Sequence, residues 1–348
     1  MDNLFNYKWN LADGYPAKGV EHHKLKVYST FACGGGSRMG YKLAGYDVIG
    51  ANDIDPQMAK VYQLNHKPKF YDLCPIGELL TKQLPPEYYD LDILDGSPPC
   101  STFSISGSRD KAFKKDKKFR EGQAKQVLSD LFFDWIALVD KLKPKVAIAE
   151  NVKGMLIGNA KAYTSTILKE IDKIGYDVQL FCLNGATMGL PQKRERVFFI
   201  CKRKDLKMPK LVLNFNQKPI LYSDIEERPG KPLAEGTLYK SRWNKRKLGD
   251  LDYAHICVRE EKKRTNFSIQ LINKNRVCPT VVSGSDFIKF DKPEHVSDYE
   301  LQQIGSYPLD YNFLNIEPKY LIGMSVPPVM MAQIAYQIYL QLFKNLTT

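Results

Sequence analysis

From Lys24 to about Phe199, short β-branched or apolar runs alternate with helical patterns, and this alternation most constrains what the chain can fold into. Apolar runs separated by amphipathic stretches read as strands joined by crossover helices, which build a mostly parallel sheet covered on both faces. The runs LKVYSTF (25–31), DVIGAND (47–53), LDILDG (91–96), VAIAEN (146–151), DVQLFCLN (177–184) and VFFICK (197–202) are the expected strands. Pro144 and Gly175 break the intervening helical patterns in KLKPK and KIGYD. The predicted fold class is α/β, a doubly wound, mostly parallel sheet.

Beyond Lys202 the alternation stops and charge clusters such as RWNKRK (242–247) and REEKKR (259–264) appear. A smaller mixed domain is expected over 216–316, with the first domain spanning 1–215 and completed by 317–348. The reason for the return is the apolar stretch Val326–Phe343, which needs a core to cover it. Gln333, Gln337 and Gln341 recur there every fourth residue and share one helix face. A lipid-facing helix would leave three amides without partners, so a buried amphipathic helix is expected and no membrane association.

With 348 residues, 43% hydrophobic and 26% charged, the composition excludes a fibrous or low-complexity protein. The formal charge of +12 favours a polyanionic partner, with a merely solvated basic surface as the alternative. The seven cysteines include no CxxC pair, and the N-terminus MDNLFNYKWN lacks a basic segment followed by an apolar run. Reduced thiols, no metal site and a cytosolic location are expected.

Five strand ends carry the residues that point to chemistry. STFACGGGSRMG places Gly34, Gly35 and Gly36 where a first strand meets the sheet rim, suited to close approach of a nucleoside or simply to a tight turn. NDID places Asp53 at the end of the second strand, as a ribose acceptor or a helix cap, and Asp72 stands where a third would end. GSPPCSTFS presents Cys100 on a loop braced by two prolines, which suits a nucleophile better than a core thiol. VAIAENV ends a fully apolar strand in Glu150 and Asn151, on the same rim; desolvation could keep this acid partly protonated, and a salt bridge is the duller reading. In LPQKRERVFFI, Gln192, Arg194 and Arg196 alternate with Lys193 and Glu195, so the two arginines face one side and need anions or carbonyls.

In this order, FACGGG, NDID, GSPPCSTFS, AENV, PQKRER and IGMSVPP resemble the DNA cytosine-5 methyltransferase family over nearly the whole chain. Cys33 replaces the first glycine of the family's FxGxGG, and Met324 replaces the asparagine before Ser-Val-Pro-Pro. The resemblance implies the S-adenosylmethionine-dependent methyltransferase fold, with 216–316 as target-recognition domain. It implies Cys100 as nucleophile toward carbon 6 of a flipped-out cytosine, Glu150 at ring nitrogen 3 and Arg196 at O2. Arg194 is counted with the catalytic residues, or as an anchor for phosphate or the loop. S-adenosylmethionine, leaving as S-adenosylhomocysteine, is expected against Phe31, Ala32, Gly34, Gly35 and Gly36. Asp53 and Ile54 are expected at its ribose side, Asp72 and Leu73 near the adenine amine, and Pro98, Leu131, Ser325 and Val326 complete the pocket.

Base chemistry on duplex DNA requires extrusion of the base. The segment SGSRDKAFKKDKKFREGQAK, with Phe113 and Phe119, is expected to close over the DNA backbone, with a solvated charge run as the alternative. The implied biological setting is a bacterial or phage modification enzyme, monomeric, with a cognate restriction endonuclease acting separately. Methylation of transfer RNA, a silent DNA-binding relative and a nucleotide-dependent oxidoreductase are the rival readings. The basic recognition segment argues against the first, intact Cys100, Glu150 and Arg196 against the second, and the GSPPC and QKRER segments against the third.

Overall fold

The computed structural model describes residues 4–99, 130–158, 160–225, 227–262 and 269–344, with two further short strands between 99 and 130. Cys100 and the lysine-rich segment after it lie outside the described residues. The first half runs β1 (Lys26–Thr30), α1 (Gly36–Leu43), β2 (Asp47–Asp53), α2 (Pro56–His66), β3 (Phe70–Leu73), α3 (Ile76–Thr81) and β4 (Ile93–Gly96). The short strands β5 (Asp116–Lys117) and β6 (Gln126–Val127) precede α4 (Leu131–Leu142), β7 (Val146–Val152), α5 (Ala160–Lys173), β8 (Tyr176–Asn184), β9 (Gln192–Lys193) and β10 (Glu195–Arg203). Then follow α6 (Leu238–Asn244), α7 (Tyr253–Ile256), β11 (Gln270–Ile272), β12 (Cys278–Pro279), β13 (Phe287–Lys289), α8 (Asp298–Ile304), α9 (Pro318–Met324) and α10 (Pro328–Ile338).

The central sheet has the order β3-β2-β1-β4-β7-β10-β8. β10 runs antiparallel to both its neighbours, while the other pairings are parallel. A short link suffices between β8 and β10 because antiparallel strands need no crossover helix. The order reverses between β1 and β4, and in open α/β sheets the crevice at such a reversal is where ligands bind.

Side-chain alternation along these strands feeds two separate cores. Val27, Ile93, Ile148, Phe198 and Ile200 point to the face covered by α1 and α10. Tyr28, Leu94, Ala147, Ala149, Val197 and Phe199 point to the face covered by α3, α4 and α5. Because both faces are buried, the strands read as continuous apolar runs, not as alternating ones.

The C-terminal helical stretch Pro318–Phe343 is long and apolar enough by composition to cross a bilayer, but 78% of its apolar window is buried inside the fold. Its three glutamines are used internally. Gln333 donates to the Met188 carbonyl, Gln341 exchanges hydrogen bonds with the Val212 backbone, and Gln341 also donates to Gln337.

The apolar residues of 216–316 divide between two cores. Leu233, Trp243, Tyr253, Ile256, Leu271 and Ile288 make a small core of their own. Tyr222, Ile272, Val281, Phe287, Leu301, Tyr307 and Ile316 instead belong to the large core under α1 and α10. Charge density marked where the regular alternation ends, but it does not report which apolar residues fold back.

Candidate active site

The carboxyl ends of β1, β2, β3, β4 and β7 meet at one rim. Its first part is the loop after β1, where Phe31 and Cys33 have left-handed backbone, with φ of 53° and 47°. Residues with a Cβ disfavour that conformation, which accounts for the glycine usual in the motif, and Cys33 adopts it at a cost. Asp53 fixes the loop: one carboxylate oxygen accepts the Cys33 N–H at 2.7 Å, the other accepts Ile54 N–H at 2.8 Å and Asp55 N–H at 2.9 Å. A carboxylate has about four acceptor positions, so one remains for a ligand. Burial lifts the Asp53 carboxyl above its ordinary value, against the pull of these amides. The helix cap weighed for Asp53 belongs instead to Asp55, which accepts from Gln57 and Met58 at the start of α2.

Two glycines are demanded by geometry. Gly35 has φ of 82°, and a Cβ on it would lie 2.3 Å from His66 Nε2. A Cβ on Gly36 would lie 2.0 Å from the Val326 carbonyl oxygen, so the start of α1 packs directly on Ser325–Val326. These C-terminal residues thereby reach the glycine loop. Leu131 is buried among the core residues at the start of α4, Leu73 is exposed beside Asp72, and Met324 is exposed at the end of α9.

Glu150 ends β7, and its carboxylate meets Arg196 Nε at 2.9 Å, with both side chains largely covered. Arg196 is brought there by register: it pairs with Val152 while Phe198 pairs with Glu150. Arg196 also donates to the Glu195 carbonyl. The pair was not foreseen, because nothing in the spacing of AENV and QKRER reveals that β10 is the antiparallel neighbour of β7. Asn151, next to Glu150, donates to the Pro98 carbonyl at 3.0 Å and so holds the Pro-Pro loop that leads to Cys100.

Arg194 does something different from Arg196. It is 2% exposed, and its guanidinium donates to the carbonyls of Val281 at 3.0 Å, Gly323 at 3.1 Å and Ser325 at 2.8 Å. Burial, helped by nearby Arg196, pulls its pKa down to about 9. Gln192 works alongside, accepting from Val281 N–H and donating to the Ile304 carbonyl. The Arg194 guanidinium is thus turned to backbone carbonyls, whereas that of Arg196 meets a carboxylate. Alternation put both arginines on one side; the tertiary return of 280–325 supplied carbonyls to Arg194, and the pairing of β10 with β7 supplied the Glu150 carboxylate to Arg196.

Sequence reasoning missed a buried acid. Asp95, on β4 beneath the Pro-Pro loop, is 1% exposed and accepts from Ser29 at 2.8 Å and Tyr41 at 3.1 Å. Burial pushes its pKa up to about 7 against hydroxyl bonds that hold it down, with Glu150 adding a smaller upward push. The available signal was a second aspartate, after Asp92, in the strand run LDILDG.

Comparison with known proteins follows the same geometry. A family model described as C-5 cytosine-specific DNA methylase matches residues 25–340. The Type II methyltransferase M.FnuDI of Fusobacterium nucleatum is 35% identical over 182 residues, covering 52% of this chain and 48% of that protein. The chain thus spans about half the length of the relatives it matches most strongly. M.Bsp6I of a Bacillus species is 27% identical over 339 residues, covering 90% of this chain and 98% of that one. In fold, the chain resembles a solved structure of Spodoptera frugiperda DNMT2, with a TM-score of 0.63, 18% identity and coverage of 91% and 100%.

Proposed function

Since the chain belongs to the C-5 cytosine-specific DNA methylase family, whose members use S-adenosylmethionine, we propose that it methylates carbon 5 of cytosine in a specific duplex DNA sequence. The observation that carries this is the Glu150–Arg196 pair on the rim that also holds the Asn151-tethered Pro-Pro loop leading to Cys100. The rim fits the cofactor: Asp53 retains an acceptor position, and Asp72 offers an oxygen to which no described residue donates. When bound, the cofactor supplies an electrophilic methyl group.

Carbon 5 of cytosine is a poor nucleophile, so the ring must first be activated. The Cys100 thiolate adds to carbon 6, and Glu150 protonates or hydrogen-bonds nitrogen 3 while Arg196 holds O2. Both residues stabilise charge that develops as the thiolate adds. After carbon 5 accepts the methyl group, loss of its proton expels Cys100 and restores the aromatic ring. Gln192 and Arg194 tie the returning segment 280–325 to β10 and keep Ser325 beside the glycine loop.

The recognition role falls to 216–316, whose small core around Trp243 carries the basic helix α6. The base is flipped from the duplex to reach the rim. Relatives named Type II methyltransferases support a restriction-modification role; the same reading has the enzyme act in the cytosol as a monomer, apart from a cognate endonuclease.

The test uses tritiated S-adenosylmethionine and duplex DNA containing 5-fluorocytosine, which blocks the final proton loss. A denaturation-resistant labelled adduct is expected with wild type and none with Cys100→Ser. No adduct on mixed-sequence DNA, with cofactor binding confirmed, would refute the assignment.

A further inference from the structure

The strand order reverses between β1 and β4, and a buried carboxylate sits on that seam. Asp95, in β4, pairs in register with Ser29 of β1. Its Oδ2 accepts the Ser29 hydroxyl at 2.8 Å and its Oδ1 accepts the Tyr41 hydroxyl at 3.1 Å, with Ser37 as a third hydroxyl partner. Ser37 and Tyr41 are four residues apart and share one face of α1, the helix that starts at Gly36. All three hydroxyl residues are buried. The same stretch of β4 is fixed from two other sides. Thr30 donates to the Asp95 carbonyl at 2.9 Å, and a Cβ on Gly96 would lie 2.5 Å from the Trp135 indole nitrogen.

These contacts join two loops that carry different chemistry. β1 and α1 flank the glycine loop, whereas the chain after β4 runs through Ser97, Pro98 and Pro99 to Cys100. Asn151 holds that second loop at the Pro98 carbonyl, and Asp95 ties its base to the helix behind the glycines. None of Ser29, Ser37, Tyr41 and Asp95 is among the residues expected to touch the cofactor or the base. A carboxylate here does not serve stability at neutral pH, because burial pushes its pKa up to about 7 and its ionised form costs the fold. A leucine in its place would be buried without that cost.

We propose that Asp95 is a positioning residue for methyl transfer, holding the glycine loop and the nucleophile loop at the separation that lines a bound methyl donor up with the activated carbon 5. The inference rests on the reaction proposed above. Only the second half of that reaction needs both loops at once. In the first half Cys100 adds to carbon 6; without a methyl donor, carbon 5 takes a proton from water, gives up the one it carried and expels Cys100. That exchange uses the nucleophile loop, Glu150 and Arg196, but no methyl group. Loss of Asp95 therefore separates the two halves, which a general loss of folded enzyme does not.

Wild type, Asp95→Leu and Asp95→Asn would be given duplex DNA of mixed sequence with cytosine tritiated at carbon 5. Release of tritium to water in the presence of S-adenosylhomocysteine reads the exchange. Transfer of tritiated methyl groups from S-adenosylmethionine to unlabelled DNA reads the complete reaction, and calorimetry reads S-adenosylhomocysteine binding. Asp95→Leu is expected to lose methyl transfer about 10²-fold, as a misplacement of about 1 Å costs, while exchange and cofactor binding stay within about threefold of wild type. Asp95→Asn is expected to restore transfer to within about threefold, because an amide oxygen still accepts hydroxyls and its NH2 donates to one that turns. If Asp95→Leu does not fold, Tyr41→Phe combined with Ser29→Ala removes two of the partners and carries the same expected split. Exchange and transfer falling together, transfer unchanged without the carboxylate, or an Asp95→Asn no faster than Asp95→Leu would overturn the proposal and leave the methyltransferase reading intact. A wild type that binds the cofactor yet shows neither exchange nor transfer would overturn both.

Discussion

Arg194 stands between β9 and β10 and Arg196 two residues on, in β10, and their surroundings assign them different consequences on removal. Arg194→Met strips the donor from three buried carbonyls, those of Val281, Gly323 and Ser325. Hydrogen bonds to a charged group contribute roughly 1.5–3 kcal/mol each, offset by the cost of burying the guanidinium that its lowered pKa records. The carbonyls left unpaired bring the net loss to about 3 kcal/mol. Unfolding entropy of about 2.1 cal/mol/K per residue over 348 residues converts this to a fall in Tm of roughly 4 °C. Arg196→Met leaves the largely covered Glu150 without its partner, at about 3–5 kcal/mol, and should lower Tm by roughly 4–7 °C. Its distinguishing cost is in turnover, about 10²–10³-fold, as for loss of one preorganised donor at a developing charge. The assay is thermal unfolding by circular dichroism beside methyl transfer to DNA at 20 °C. An Arg194→Met protein that melts with wild type, or an Arg196→Met protein that keeps wild-type turnover at 20 °C, would refute the division of roles.

Glu150→Gln keeps the shape of the Arg196 contact but removes the acid–base group, and methyl transfer should fall about 10²–10⁴-fold with cofactor affinity unchanged by calorimetry. At Cys33, with φ of 47°, glycine should be tolerated within about 1 kcal/mol, whereas Cys33→Val should cost more than about 2 kcal/mol in urea unfolding. Asp95, raised by burial to about 7, binds its proton more tightly folded than unfolded. Its contribution is therefore full below about pH 4 and is lost as pH rises through 7. Asp95→Asn should flatten that decline by up to about 4 kcal/mol, and unfolding curves that keep the wild-type slope between pH 4 and 8 would refute it. Asn151→Ala releases the Pro98 carbonyl and should slow 5-fluorocytosine adduct formation more than cofactor binding, read as rate against Kd.

Much of the fold was legible because it rests on local rules. The run Asp47–Asp53 matches its expected strand without change, and 146–151 and 177–184 differ from theirs by one residue at an end. The C-terminal helix was legible for the same reason: glutamines repeating every fourth residue require internal partners, and the structure provides Met188 and Val212. Strand-end residues were legible because a parallel sheet places all its carboxyl ends on one rim, so Asp53, Asp72 and Glu150 had to share it.

Sequence by itself determined the periodicities, the breakers and the types of chemical group that reach the rim. It could not determine which neighbour each group meets, because that depends on strand order and on chain returning from more than a hundred residues away. Tertiary structure alone gave Arg196 a carboxylate and Arg194 three carbonyls, placed two tyrosine hydroxyls on one oxygen of Asp72, and drew much of 216–316 into the main core. The physical reason is that buried polar groups must find partners, and the partner is chosen by whatever backbone packing brings within about 3 Å.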